Sequence, residues 1–569
     1  MKFLSKKNYV IFIFLTIFFS ETQVFGKKEE IKYTRENISN YFSGLMHAKQ
    51  GNDLEAFQHL KKIQQVKDFN SRFSIQYVKT LVLLEKFNLA FDFAEKVKSK
   101  NEYLFEADLV LGIKYFVEKD YESAEKVFLK LNRIGRYNTY FDDLVGNVMI
   151  AWTKALQGKK KESFEFIGKI PQNYRHLTKI QSTFLKCFYD SPQTQKSYEE
   201  LIKLKNYNFS RYNFFLANYL LFKNKKEEAL KIIQESRKEN VSNLLLKQTE
   251  TFLIEDKEKK IKNLFNCKNP NDPLAEFLYV ISNFYSSEEE HELSNFYLKI
   301  SFFLNNKFLP NRTLLAENLY YQKKYSLSKK TYESLKPIGS EYSWHASKSI
   351  AIILIEEKGK KYSVKSLEKD FNKIKKPSYE HYYELADFYK NNELYKKSIK
   401  YYSLTLKELE ENHFLFSKIL YKRGTSFEQT DNWENAEKDL IKSLKISPDE
   451  AQVLNYLGYA WIDQGINLEK GLEMLEKANS IKGNDGYILD SVGWAHYALK
   501  NYNKAEYFLR RAVELMPSDP VVNDHYADTL WMLSRSIQAR YFWNYVLKLD
   551  AAEKNLKEIT NNKLIFGIK

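Results

Sequence analysis

Fourteen small residues recur along this chain, most of them 34 or 35 positions apart: Ala56, Ala90, Ala124, Ser163, Ser197, Ala229, Ser294, Ser328, Ser363, Ser398, Ala436, Gly471, Ala505 and Ala539. An apolar residue follows four positions later in nearly every case, as at Leu60, Phe128, Leu298, Leu440, Leu509 and Trp543. Twelve or thirteen positions earlier lies another small or apolar residue, as at Gly44, Gly112, Ala217, Ala316, Ala386, Gly424, Gly458 and Gly493. A period of this length with two helical stretches per period is the mark of a helical solenoid. The two small positions fall where paired antiparallel helices approach most closely, and the neighbouring aromatic and aliphatic residues fill the groove between them. Length alone would suggest three or four globular domains for 569 residues. The period overrides that prior, because fourteen or fifteen repeats account for residues of about 37 to 550.

The first 26 residues stand apart. Lys2, Lys6 and Lys7 precede an apolar run from Tyr9 to Phe19 broken only by Thr16, and Val24-Phe25-Gly26 offers a small-residue cleavage site. This is the three-part plan of a secretory signal peptide, and the run is short for a bilayer span. The expectation is an exported protein, periplasmic or outer-membrane associated. An uncleaved N-terminal membrane anchor is the alternative.

Composition adds limits. Forty-one Tyr and 41 Phe bring the aromatic share to 16%, enough to fill inter-helix space with rings. The net charge of +16 invites a nucleic-acid reading, yet the lysines are scattered along exposed helix faces rather than gathered in a stripe. Abundant Lys, Asn, Ile, Tyr and Phe are what an AT-rich coding sequence produces, so no nucleic-acid partner is expected. Cys187 and Cys267 lie more than two repeats apart. If each repeat touches only its neighbours, their Cα atoms are too distant for a disulfide, and two unpaired buried thiols are expected.

The C-terminal third is the most regular. One period carries Leu420, Gly424, Phe427, Ala436, Leu440, Ser443 and Pro448, and another carries Leu489, Gly493, His496, Ala505, Leu509, Ala512 and Pro517. This spacing resembles the tetratricopeptide repeat (TPR), a helix–turn–helix unit of about 34 residues. The resemblance implies an all-α fold, a right-handed superhelical solenoid of about 14–15 TPR repeats. The family's first-helix Trp is replaced by Leu or another residue in most repeats. The expected organisation is a signal peptide over 1–26 and a divergent array over 27–237, then a degenerate repeat or joint over 238–275. A middle array follows over 276–410, then a regular array over 411–550 and a capping helix with tail over 551–569.

No catalytic signature emerges. His291-Glu292 lacks the second His of a helical zinc site, nine His are scattered, and no phosphate loop or nucleophile elbow occurs. No enzyme activity, cofactor or metal is expected. By resemblance, first helices line the concave side of such a solenoid and project defined positions into it. In the C-terminal repeats these are Tyr421, Thr425 and Glu428; Asn455, Tyr459 and Asp463; Asp490, Trp494 and Tyr497; and Asp524, Asp528 and Trp531. The candidate protein-binding groove is Asn455, Tyr459, Asp490, Trp494, Tyr497, Asp524, Asp528 and Trp531. Asn and Asp can meet a bound backbone or a basic side chain, and the aromatics supply apolar anchors. The same residues could instead pack between helices or cap them. Asp490, Asp524 and Asp528 oppose capture of a C-terminal carboxylate, the habit of chaperone-binding members of the family. The resulting expectation is a non-catalytic scaffold or adaptor of the cell envelope with protein or peptide partners. The alternatives are a basic surface docking on an anionic polymer or membrane, and a regulatory subunit of an envelope enzyme complex.

Overall fold

The computed structural model describes residues 34–63, 71–99, 104–134, 143–204 and 210–568. The expected signal peptide lies outside them. Among the described residues the fold is all-α: 31 α-helices, fifteen consecutive packed pairs and a closing helix Lys554–Phe566, with no strand. The small residues of the repeat sit at the contacts within pairs, and Ala56, Ala124, Ser294, Ser328, Ala436, Ala505 and Ala539 are wholly buried. Serine at this position also ties its pair together. Ser294 Oγ donates to the Ser282 carbonyl and Ser328 Oγ to the Ala316 carbonyl, each at 2.7 Å, and Ser363 does the same to Ala351. Each acceptor is the residue twelve positions upstream on the partner helix, the second small position of the pattern.

The turn inside most pairs has a fixed chemistry. The residue five before the small position adopts a left-handed backbone, as at Lys119 (φ 67°), Asn224 (59°), Glu393 (65°), Lys500 (59°) and Ser534 (62°). The following N–H closes a six-to-one bond onto the first helix, as in Asp120 to Tyr115 (2.9 Å) and Asn501 to His496 (2.8 Å). This is the Schellman termination, which satisfies carbonyls that the helix end leaves open.

The chain divides into two compact units, one up to Asp370 and one from Phe371. Within the first, distant repeats also meet. Phe87 stacks on Phe303 with ring centroids 4.3 Å apart, Glu85 pairs with Lys299 at 2.6 Å and Asp53 with Lys324 at 3.4 Å.

The cysteines correct the expectation of two free thiols. Cys187 and Cys267 form a disulfide with Cα atoms 5.9 Å apart. The expectation failed because its premise of neighbour-only contact fails here. The second helix of this repeat, Glu258–Lys262, is only five residues long, and the turn-rich chain after it runs back past helix Tyr212–Phe222 to helix Arg175–Phe188. Phe265 packs on Phe184 and Phe215, with centroids 5.2 and 4.6 Å away. Asn218 Nδ2 donates to the Ile261 carbonyl at 3.0 Å, and Lys268 Nζ donates to the Phe188 carbonyl at 2.8 Å.

The second unit is more regular. Its first helices are Tyr379–Asn391, Phe416–Glu428, Ala451–Asp463, Gly486–Ala498 and Pro520–Met532, with Lys554–Phe566 in the place of a sixth. Asp485 and Asp519 cap two of them by accepting from backbone N–H groups two and three residues on, and Pro520 opens its helix where a missing N–H costs nothing.

Candidate protein-binding face

Successive first helices of the second unit are cross-linked by polar pairs at every step but one, that from Ala451–Asp463 to Gly486–Ala498. Asp387 accepts from Lys422 Nζ on the following first helix, and also from Tyr402 Oη. Tyr456 Oη donates to Glu428 at 3.0 Å. His525 Nδ1 lies 3.0 and 3.1 Å from the two carboxylate oxygens of Asp490. A carboxylate accepts only, so that ring nitrogen carries a hydrogen. Lys563 Nζ, on the closing helix, lies 2.7 Å from both Asp524 and Asp528, and Thr560 Oγ1 donates to Asp524 at 3.0 Å.

The expected site residues therefore divide. Asp490, Asp524 and Asp528 are buried and engaged within the chain, Asp528 also accepting from Trp543 Nε1 at 2.9 Å. Burial and the neighbouring Asp524 raise the Asp528 carboxyl above the ordinary range, against Lys563. At His525 burial works against the charged ring, but Asp490, supported by Asp524 and Asp528, outweighs it and raises the pKa. Trp531 is covered by the chain end, its Nε1 donating to the Ile568 carbonyl at 3.2 Å. Trp494 lies in a three-ring stack between Tyr497 (centroids 4.6 Å apart) and His525 (4.0 Å). Asn455 and Tyr459 are half-buried one helical turn apart. Tyr459 lies near Asp463 and Asp490, and burial together with these two charges raises its phenol pKa.

Sequence reasoning missed His525, Thr560 and Lys563. Their positions carried a signal: His525 lies one period after Asp490, and Thr560 about one period after Asp524. Among the described residues no three His, Cys, Asp or Glu side chains gather as a metal site requires, and no helix is long and apolar enough to cross a membrane.

No family model matches the chain. Over 136 residues, 24% of this chain, it is 31% identical to a TPR repeat-containing protein of Pseudomonas aeruginosa. The helix pairs, their small-residue contacts and this likeness over a quarter of the chain agree on one repeat type. The chain is a tetratricopeptide-repeat protein. The match spans 22% of the length of that curated relative. Alignments with solved structures include Cut9 in the APC/C hetero-tetramer Cut9–Hcn1, at 13% identity over 94% of this chain and 97% of that one, with a TM-score of 0.36. A second is MamA from Desulfovibrio magneticus, at 16% identity over 31% of this chain and 97% of that one, with a TM-score of 0.28. A third is a thermophilic TPR protein of Thermus thermophilus, at 16% identity over 33% of this chain and 100% of that one, with a TM-score of 0.29. At these scores the overlays add nothing to the assignment, which rests on the repeat pattern, the helix pairs and the curated match.

Proposed function

We propose that this TPR protein is a non-catalytic scaffold of the bacterial cell envelope that holds protein segments against the first-helix face of its second unit. The observation that carries the reading is the run of half-buried side chains at Asn455, Tyr459, Trp494 and Tyr497. They stand on adjacent first helices whose backbones are fixed by packing and by the polar cross-links described above. A preorganised face of this kind avoids the ordering cost that weakens flexible binders, and its rings supply anchors of the type that dominate interface energy. Export is supported by the N-terminal basic-then-apolar sequence and by the Cys187–Cys267 disulfide, a bond that persists in oxidising compartments and is rare in reducing ones.

Site-specific photo-crosslinking in the native cell tests the reading, with the probe at Tyr497 and a second-helix control at Lys504. A discrete protein adduct at Tyr497 alone is the expected result. Equal adducts at both positions, removed by added salt, would transfer the activity to the basic surface.

A further inference from the structure

The polar cross-links between first helices have one gap. Helices Tyr379–Asn391 and Phe416–Glu428 are joined by Asp387–Lys422, and the next pair by Glu428–Tyr456. Helices Gly486–Ala498 and Pro520–Met532 are joined by Asp490–His525, and the last first helix meets the closing helix through Asp524, Asp528 and Lys563. Between Ala451–Asp463 and Gly486–Ala498, Leu454, Ile462, Ile488 and Val492 form an apolar contact, and among the described residues no hydrogen bond or ion pair joins the two helices. The residue of the second helix that corresponds to Lys422 and His525 is Ser491, and its hydroxyl turns back to the Tyr487 carbonyl at 2.9 Å.

The polar groups facing this gap are left over. Asn455 Oδ1 is buried without a hydrogen-bond partner, and an orphan acceptor of this kind is costly to keep from water. Tyr459 and Asp463, at i+4 and i+8 from Asn455 on the same helix face, have no partner among the described residues either. Asp463 is exposed. The charges that bear on Tyr459 are those of Asp463 and Asp490, both negative. Beside them stands the Trp494–Tyr497 stack.

We infer that this gap is a recognition subsite for a lysine or arginine side chain of a bound protein segment, which supplies the cross-link that the chain itself lacks between Ala451–Asp463 and Gly486–Ala498. The inference rests on the scaffold reading above and deepens it. The incoming cation pairs with Asp463 and the Tyr459 hydroxyl accepts from it, while the amide of half-buried Asn455 turns to present its oxygen to a backbone N–H of the same segment. The alkyl stem lies along Trp494, as long basic side chains cover apolar surface while keeping the charge at the polar end. The chain supplies a related precedent two repeats on, where Lys563 pairs with Asp524 and Asp528, which stand at the positions of Asn455 and Tyr459. On a protein of net charge +16, a local site that selects positive charge is set by these residues and not by the global field.

The test uses the full chain and a positional library of fluorescent linear peptides in which one position carries Lys, Arg, norleucine or Glu, read by anisotropy. The expected result is binding that prefers Lys or Arg, weakened three- to tenfold by Asp463→Asn, an exposed change that spares the fold, and unaffected by Glu514→Gln on a second helix. Asn455→Leu is expected to weaken binding as well while leaving the melting temperature equal or higher, a combination that a merely structural residue would not give. Peptides that bind without a basic preference, or whose preference survives Asp463→Asn and Tyr459→Phe, would overturn the subsite and leave the scaffold reading standing. A chain that captures no peptide and shows no Tyr497 adduct would remove both.

Discussion

Replacing Gly458 with alanine tests whether the small residues are there because helices touch. A Cβ added at Gly458 would lie 2.9 Å from the Gly471 carbonyl oxygen and 3.0 Å from Leu475 Cγ. Neither obstacle can yield cheaply: the carbonyl belongs to a helix backbone, and Leu475 is wholly buried. Mid-helix Gly→Ala gains about 1 kcal/mol of helix propensity, while forcing a methyl into a packed contact costs about 1–3 kcal/mol. With backbone as the obstacle the upper part of that range applies, and the net expectation is a loss of about 1–2 kcal/mol. Gly168 is the counterpart, since its Cβ would meet nothing within 4 Å, and Gly168→Ala is expected to stabilise by a few tenths of a kcal/mol to about 1 kcal/mol. Gly424 falls between, with the Ala436 carbonyl and Leu440 Cγ both at 3.2 Å, and its replacement should be near neutral. Because a solenoid's stability is a sum of local terms, hydrogen–deuterium exchange on the full chain is the assay. Gly458→Ala should speed exchange across Ala451–Asp463 and Leu468–Ile481 about 5- to 30-fold. Exchange slowed to the extent seen for Gly168→Ala would refute the close-approach argument.

Three further outcomes follow from particular residues. Reduction of Cys187–Cys267, which are 80 residues apart in sequence, is expected to cost the first unit about 4.5 kcal/mol in the chain-entropy account, seen as a lowered melting transition with reductant and an unchanged one in a Cys187→Ser, Cys267→Ser variant. Asp108 is buried with Oδ2 unpaired, and burial, opposed by Lys130 and Lys98, pushes its carboxyl up to about 6. A carboxyl raised above its unfolded value of 3.8 binds its proton more tightly in the folded state, so its contribution to stability falls as pH rises from about 4 to about 6. Asp108→Asn should abolish that fall in a pH series of denaturant melts and leave the protein at least as stable at pH 7. Lys563→Ala leaves Asp524 and Asp528 buried without their cation, a loss of about 3 kcal/mol; mass-resolved exchange should show Lys554–Phe566 losing its protection while Ala451–Asp463 keeps its own.

What the sequence made legible follows from what a period encodes. Ala124, Ala436 and Ala505 recur because every repeat makes the same short-range contact, so pairing and burial could be read directly. Serine at the same position was read as merely small, yet Ser294 and Ser328 also bridge their helices through the hydroxyl. The left-handed turn residues were not legible, because Lys119, Glu393 and Lys500 occupy positions where glycine would have announced the backbone. Contacts that do not repeat left no trace. The approach of Phe87 to Phe303 joins repeats far apart in sequence, and the disulfide follows a shortened second helix that is visible only once the structure is known. The candidate face was legible as a set of positions. Which acids were already taken was not, because that depends on His525 and Lys563 reaching back one repeat.

The measurement that bears most directly on the first-helix face is hydrogen exchange of the full chain with and without the protein recovered by crosslinking at Tyr497. Added protection concentrated in Ala451–Asp463 and Gly486–Ala498, with Leu468–Ile481 and Tyr502–Leu515 unchanged, is the predicted result. Protection confined to the second helices, or spread evenly over both, would contradict the account.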